Sequence, residues 1–251
     1  MISANIDGID RALNYGFFAW LTWQNADVIC LQELNTPTIP DSLKQWLHKA
    51  GYEVAAATPK SGRKGGGVAI LSKSGFDEIK TYGDTLLAER GQMISAKIRN
   101  MHVASVYITY GNSAPERAAF GRHFAAMKSA GDRALICGDF NIIGSRRDSH
   151  LWYAANNKGY RDEERAWLGE LLAEWKDTLR LGVNASQGAL YTWWSNKGRC
   201  YLENRGTRLD YQLASPNLVD AIVPGTARVV RELQEGKRMT DHAPIVVEYD
   251  V

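Results

Sequence analysis

The 251-residue sequence predicts one α/β domain, two packed β-sheets with helices outside them, spanning residues 1–251. Short apolar runs rich in strand-forming residues recur along the whole chain, separated by occasional amphipathic stretches rather than in strict strand–helix alternation. Several of these runs deliver polar side chains at their tips. Ala134 to Cys137 ends in Gly138-Asp139-Phe140-Asn141, and Val28-Ile29-Cys30-Leu31 runs into Gln32-Glu33. Arg208-Leu209-Asp210-Tyr211 opens one apolar run, and Thr240-Asp241-His242-Ala243-Pro244 precedes another. No linker, repeat or low-complexity tract divides the sequence.

Read in order, Met1 to Ile6 is a short first strand, and Asp7-Gly8 opens a loop into a helix over Asp10 to Asn25. Leu13, Phe17, Trp20 and Leu21 give that helix an apolar face at 3.6-residue spacing. A strand over Asp27 to Gln32 follows, then a helix over Asp41 to Ala50 with Leu43, Trp46 and Leu47 inward. Gly65-Gly66-Gly67 leads into a strand over Val68 to Leu71. Met93 to Ile98 and Val103 to Thr109 read as strands flanking a turn at Arg99-Asn100. A helix over Pro115 to Ser129 precedes the strand that carries Asp139. A further helix over Asp162 to Leu181 buries Trp167, Leu168, Leu171, Leu172 and Trp175. The last third is β-rich, with strands over Ala189 to Trp194, Arg208 to Ala214 and Ile245 to Tyr249.

Composition narrows the class. With 45% apolar and 10% aromatic residues a large core is affordable and disorder is not indicated. A net charge of +2 does not by itself announce nucleic acid. Cys30 and Cys137 lie in apolar strands and Cys200 in a polar loop, with no Cys-x-x-Cys pair, so neither a zinc site nor a disulfide framework is signalled. No charged-then-apolar leader opens the sequence and no apolar run reaches about 18 residues, so a cytoplasmic protein without membrane contact is expected.

The chemistry lies in the carboxylates. Asp7, Glu33, Asp139, Asp210 and Asp241 each stand at a strand end or beside one. Any one alone reads as a turn former or cap; as a set, with Asn5 and Asn141 as neutral oxygen donors, they suit Mg²⁺ or, as a substitute, Mn²⁺. His242 is the candidate proton-transfer group, with Asp210 the expected carboxylate partner. The run Ser61-Gly62-Arg63-Lys64-Gly65-Gly66-Gly67 is no phosphate-binding loop, since no Gly-Lys-Ser/Thr follows and a strand comes next. Cations at Arg63 and Lys64, Arg146 and Arg147, Lys197 and Arg199, Arg205 and Arg208, and Lys237 and Arg238 lie in loops flanking the acidic set, where a polyanion needs neutralising. Trp193 and Trp194 are equally suited to stacking a base and to the core.

These motifs resemble the exonuclease III/AP endonuclease family of the endonuclease–exonuclease–phosphatase superfamily. The resemblance rests on Ser3-Ala4-Asn5-Ile6-Asp7-Gly8, on Ala26 to Glu33, on Gly66-Gly67-Val68-Ala69 and on Gly138 to Asn141. It continues through Tyr191 to Asn196, Arg208 to Tyr211 and Asp241 to Pro244, in family order across nearly the whole sequence. It implies a four-layered α/β sandwich, DNase I-like, whose two mostly antiparallel sheets carry the site at one edge. It further implies that Glu33, with Asp7 and Asn5, holds Mg²⁺, and that Asp241 serves a second metal position. Asp139 would activate the attacking water and Asn141 would position the phosphate; Tyr107 would sit near the phosphate or leaving oxygen, and His242, paired with Asp210, would stabilise charge on phosphorus. Asp139, Asn141 and His242 also belong to the possible metal shell, and Arg63, Lys64, Arg146, Arg147, Trp193, Lys197 and Arg208 to the nucleic-acid face.

The function implied is a Mg²⁺-dependent DNA-repair nuclease, monomeric, acting on double-stranded DNA with abasic sites, nicks or 3′ ends. The sequence departs from the family at Thr207, where a Trp usually walls the abasic-sugar pocket, and at Gly144, where a polar residue is common. Thr109 replaces a Pro, and Arg90-Gly91-Gln92 replaces Glu-Gly-Arg. Two alternatives stand beside this reading. A non-catalytic regulator like the catabolite repression control proteins is disfavoured because Glu33, Asp139, Asn141, Asp210 and His242 are all present. A phosphoesterase acting on a phospholipid or inositol phosphate keeps the same core chemistry.

Overall fold

The computed structural model describes residues 1–60, 65–82, 85–129, 133–150, 159–184, 188–231 and 238–251. Its strands are β1 (Ile2–Asn5), β2 (Val28–Gln32), β3 (Glu53–Ala57), β4 (Val68–Ser72), β5 (Glu78–Thr81), β6 (Met93–Ile98), β7 (Met101–Tyr107), β8 (Arg133–Asp139), β9 (Lys176–Asp177), β10 (Asp210–Ala214), β11 (Arg228–Val229) and β12 (Ile245–Val246). The helices are α1 (Ile9–Asn14), α2 (Phe17–Gln24), α3 (Asp41–Lys49), α4 (Thr85–Ala88), α5 (Ala114–Ser129), α6 (Asp162–Glu174) and α7 (Thr178–Gly182). One sheet has the order β11-β12-β1-β2-β4-β3 and the other β5-β6-β7-β8-β10-β9. The pairs β1–β2 and β7–β8 are parallel and the remaining pairs antiparallel.

Alternation along these strands builds four layers. In β2, Val28 and Cys30 face the other sheet, meeting Val103, Leu135 and Cys137, while Ile29 and Leu31 face Phe17, Phe18, Leu21, Leu43 and Leu47 of the helices. In the second sheet Ala104, Val106, Ala134 and Ile136 face Phe120 and Phe124 of α5 and Leu168 of α6. Covered on both faces, the central strands read as unbroken apolar runs. Each fully buried Phe or Leu stabilises the fold by about 1.5–3 kcal/mol.

Five expectations about the elements need correction. The helix expected over Asp10 to Asn25 is two, because Gly16 takes a left-handed φ of 73° that ends one helix and starts the next, and Leu13 is left 47% exposed. Trp46 sits at the edge of its helix, 38% exposed, rather than inward. The helix expected to reach Leu181 stops at Glu174: Trp175 is extended and buried, and Lys176 and Asp177 pair with Ala214 and Leu213. Ala189 to Trp194 forms no strand among the described residues beyond the bridges of Trp193 to Thr207 and His242. The expected strand over Ile245 to Tyr249 shortens to β12, while β3 and the wholly exposed β5 carried no alternating signal. No described helix is long and apolar enough to cross a membrane.

Candidate active site

Strand direction gathers the polar tips at one edge. The parallel strands β1 and β2 end together, with Asn5 opposite Gln32, and β7 and β8 end with Tyr107 opposite Asp139. β10 runs antiparallel to β8 and begins with Asp210 opposite Asp139. The turn before β12 is tied to the end of β1 by the Thr240 hydroxyl, which donates to the Asn5 carbonyl at 2.9 Å. The two sheets then meet through Asn5, whose Nδ2 donates to Asp139 Oδ2 at 2.9 Å and to Glu33 Oε1 at 3.0 Å.

Asp139 is fully buried and is the hub. Its Oδ1 accepts the Asn141 N–H at 2.8 Å, and its Oδ2 accepts Asn141 Nδ2 at 3.1 Å. His242 places Nδ1 2.8 Å from Asp210 Oδ2 and Nε2 3.9 Å from Asp139 Oδ2. Asp210 is held in turn by Thr192, whose hydroxyl accepts the N–H groups of Leu209 and Asp210 at 3.0 and 3.1 Å. At the rim, the Trp193 indole donates to Asp241 Oδ2 at 3.1 Å, and Arg11 lies 3.4 Å from Asp7. Asp7, Glu33, Asn35 and Asn141 all hold left-handed φ angles near 50°, a conformation that L residues keep only where surrounding bonds enforce it.

Electrostatics follow from this crowding. Burial alone depresses the His242 imidazole, but the Asp210 carboxylate and its hydrogen bond, then Asp139 and Asp241, overcome it and raise the pKa to about 10. The ring is therefore an imidazolium at neutral pH, with Asp210 holding one proton and the other turned towards Asp139. Burial, then the Asp210 charge, raises the Asp139 carboxyl well above the usual range, partly opposed by His242. Burial, then Glu33 and Asp139, keeps the Tyr107 phenol protonated. Asp7 is also raised, by burial first and then by Asp241 and Glu33, against the opposing pull of Arg11.

That last shift bears on a metal. Three half-buried carboxylates gather here, with Asp241 and Glu33 both repelling the charge on Asp7 more than Arg11 and His242 relieve it, while Arg238 interacts with Asp241. A hard, oxygen-seeking divalent ion fits this surplus of negative charge. Ligand atoms of Asp139, Asp210 and His242 also lie within 4.8 Å of one another. There the Nδ1 of His242 is taken up by its hydrogen bond to Asp210, which leaves Nε2 as the ring atom facing Asp139.

The structure thus brings together Asn5, Asp7, Glu33, Tyr107, Asp139, Asn141, Asp210, Asp241 and His242. Arg146 and Arg147 are exposed on a 3₁₀ turn (Arg146–Asp148), Lys197 is exposed on a loop and Trp193 is half-buried on the rim. Arg63 and Lys64, expected on the DNA face, lie outside the described residues, as does Lys237. Arg208 is a correction: it is fully buried, donates to Asp177 at 2.6 Å and stacks over Tyr211 at 4.5 Å, so it cannot meet DNA. Trp194 belongs to the core, packed so closely that a Cβ on Gly206 would lie 2.4 Å from its indole nitrogen. Gly66 is required by close approach, since a Cβ there would meet the Arg90 carbonyl oxygen at 2.2 Å. Sequence reading missed Thr192, Thr240 and Asn35; the Asn35 side chain accepts the Gly65 N–H at 2.7 Å and reaches Glu33 at 3.4 Å. Thr240 beside Asp241-His242 was the available signal.

Comparison with known proteins places this geometry. The model of the Endonuclease/Exonuclease/phosphatase family matches residues 2–242. An exodeoxyribonuclease of Streptococcus pneumoniae is 27% identical, the match covering 100% of this chain and 99% of that protein. A DNA-(apurinic or apyrimidinic site) endonuclease of Dictyostelium discoideum is also 27% identical over 100% of this chain and 70% of its own length. The solved structure of a 3′-5′ exonuclease from Neisseria meningitidis superposes with a TM-score of 0.84 at 25% identity, covering 100% and 99% of the two chains. The four layers, the acidic edge and the match over residues 2–242 lead to one conclusion: the chain belongs to the endonuclease/exonuclease/phosphatase family.

Proposed function

We propose that this protein is a metal-dependent DNA-repair nuclease that hydrolyses phosphodiester bonds, with Mg²⁺ as its ion. The observation that carries the reading is the buried Asp139, placed between a charged His242 and an edge where, among the described residues, carboxylates outnumber cations. Relatives named as exodeoxyribonuclease and AP endonuclease support DNA as the substrate.

Each residue has a role its position supports. Asp139, with its raised pKa, takes the proton of the attacking water more readily than an ordinary carboxylate. Asn5 and Asn141 hold that carboxylate in one orientation. His242 presents its second N–H towards the reacting phosphate and stabilises the negative charge that grows there, while Asp210 keeps the ring charged and aligned. Tyr107 stays protonated and offers a hydrogen bond to a phosphate or leaving oxygen. Glu33, Asp7 and Asp241 would hold the divalent ion, which when bound neutralises the scissile phosphate.

Substrate preference turns on Thr207. It is buried, its hydroxyl lies 3.3 Å from that of Ser149, and Ser149 is 2.9 Å from the Tyr160 hydroxyl. A short polar chain thus occupies the place of the indole wall for an extruded sugar, which favours trimming of 3′ ends over incision at abasic sites. Two labelled duplexes test this, one with a recessed 3′ end and one with an internal abasic analogue, each with Mg²⁺ or EDTA. Metal-dependent loss of 3′ nucleotides with slow abasic incision is expected; cleavage of neither duplex overturns the reading.

A further inference from the structure

Tyr107-Ile108-Thr109 leaves β7 between two hydrogen-bonded clamps. On the β8 side, the Ile108 N–H donates to the Asp139 carbonyl at 2.8 Å and the Ile108 carbonyl accepts Asn141 Nδ2 at 3.0 Å. On the other side stands Gln92, just ahead of β6. Its backbone carbonyl accepts the Tyr107 N–H at 2.8 Å. Its side-chain Nε2 donates to the Tyr107 carbonyl at 3.3 Å and to the Thr109 hydroxyl at 2.6 Å. Because a main-chain carbonyl only accepts, the amide must turn its NH₂ this way.

Gln92 is fully buried, and its Oε1 has no partner among the described residues. A buried amide with an idle acceptor destabilises the fold where an apolar side chain of similar volume would not. What the amide adds is direction: it grips the main chain of Tyr107 and the next-but-one side chain together. Gln92 and Thr109 are also two of the positions where this chain departs from the family motifs, and the departures meet in one hydrogen bond. Their shared neighbour, Tyr107, is 6% exposed and pairs with Asp139 in register.

We propose that Gln92, through Thr109, is a positioning residue that fixes the main chain of Tyr107 and so aims its hydroxyl into the catalytic edge. This rests on the nuclease reading for its kinetic consequence, though not for its structural one. The anchoring bonds lie behind the tyrosine, so they bear on how well the phenol is placed and not on substrate binding by Gln92 itself.

The test uses the full chain with Gln92→Leu, Thr109→Val, Thr109→Ser, Tyr107→Phe and the Gln92→Leu/Tyr107→Phe pair. On the recessed-end duplex, Gln92→Leu is expected to lower kcat about 10-fold with KM changed less than about 2-fold, and Thr109→Val about 3-fold. Thr109→Ser, which keeps the hydroxyl, is expected to restore the wild-type rate. In the Tyr107→Phe background, Gln92→Leu should cost less than about 2-fold, because the group it positions is gone. Equal losses in both backgrounds, or an effect on KM alone, would overturn the proposal. Should Gln92→Leu fail to fold, the Thr109 pair decides by the same criteria. A second readout is independent of activity: the ¹⁹F signal of 3-fluorotyrosine at Tyr107, assigned by its loss in Tyr107→Phe, should shift or broaden in the Gln92→Leu and Thr109→Val variants. An unchanged signal in folded variants would refute the positioning role. A wild-type protein that cuts no DNA would instead refute the nuclease reading and leave the fluorine result standing.

Discussion

Two polar clusters begin two residues apart in the chain, one just ahead of β10 and one at its first residue, and they are built on opposite principles. Arg208 enters one, where Arg208 and Arg180 face Asp148 and Asp177, two charges against two. Asp210 enters the other, where, among the described residues, the five carboxylates Asp7, Glu33, Asp139, Asp210 and Asp241 face three cationic groups, His242, Arg11 and Arg238. The first is closed: its charges cancel within the protein, and its arginine is sealed over Tyr211. The second is left acidic, and it stands at the open edge of both sheets. Burying charge costs free energy unless it is paired, so the unbalanced cluster is the one that awaits a cation and a substrate.

The contrast can be broken at its strongest point first. Asp139→Asn keeps the side chain's size but gives up one of the two accepting oxygens that Asn5 and Asn141 use, and it removes the base; it should lower kcat roughly a thousandfold with DNA affinity nearly unchanged. Single-turnover hydrolysis alongside equilibrium binding measures both, and wild-type turnover would remove Asp139 from its role. The balanced cluster should respond in stability. Arg208→Met leaves the partly buried Asp177 with Arg180, at the longer distance of 3.5 Å, as its only ion-pair partner among the described residues and should cost about 1–3 kcal/mol in urea unfolding. The double variant with Asp177→Leu should recover part of that loss, and turnover per folded molecule should stay close to wild type in both.

Titration sharpens the comparison further. The folded His242 holds its proton to about pH 10, against an ordinary histidine value of 6.5, so protonation favours the folded state. Its stabilisation is fully present below about pH 6.5 and fades as pH rises through about 10. In metal-free protein, the melting-temperature gap between wild type and His242→Gln should therefore narrow steadily over that range. A constant gap would mean that Asp210 does not hold a charged ring. The smallest effect is expected at the exposed turn. Arg146→Ala and Arg147→Ala should each reduce the slope of log binding constant against log salt by about 1, if each touches one phosphate. An unchanged slope would take that turn out of the DNA face.

The catalytic edge was legible in the sequence because its grammar is local. An apolar run that ends in a polar tip announces itself within about six residues, as Ala134 to Asn141 and Thr240 to Val247 do. The fate of Arg208 was not legible, because its burial depends on Asp148 and Asp177, 60 and 31 residues away in the chain. Helix ends failed for a similar reason. Helical spacing continues past Glu174, and only the pairing of Lys176 and Asp177 with β10 makes the chain turn extended there. At Gly16 the signal was present in the glycine, but its left-handed conformation shows only in the backbone. The family resemblance supplied Tyr107, which no local pattern would have singled out; it also marked Gln92 and Thr109 as departures, but the bond between them shows only in the fold.

The unbalanced cluster, and not the balanced one, should bind a divalent ion. Electron paramagnetic resonance of Mn²⁺ titrated into metal-free protein tests it directly. We expect bound Mn²⁺ that Mg²⁺ displaces, with affinity lowered at least about 10-fold by Glu33→Gln or Asp7→Asn and left intact by Asp177→Asn. Undiminished binding in Glu33→Gln and Asp7→Asn, or loss of binding in Asp177→Asn alone, would contradict the account.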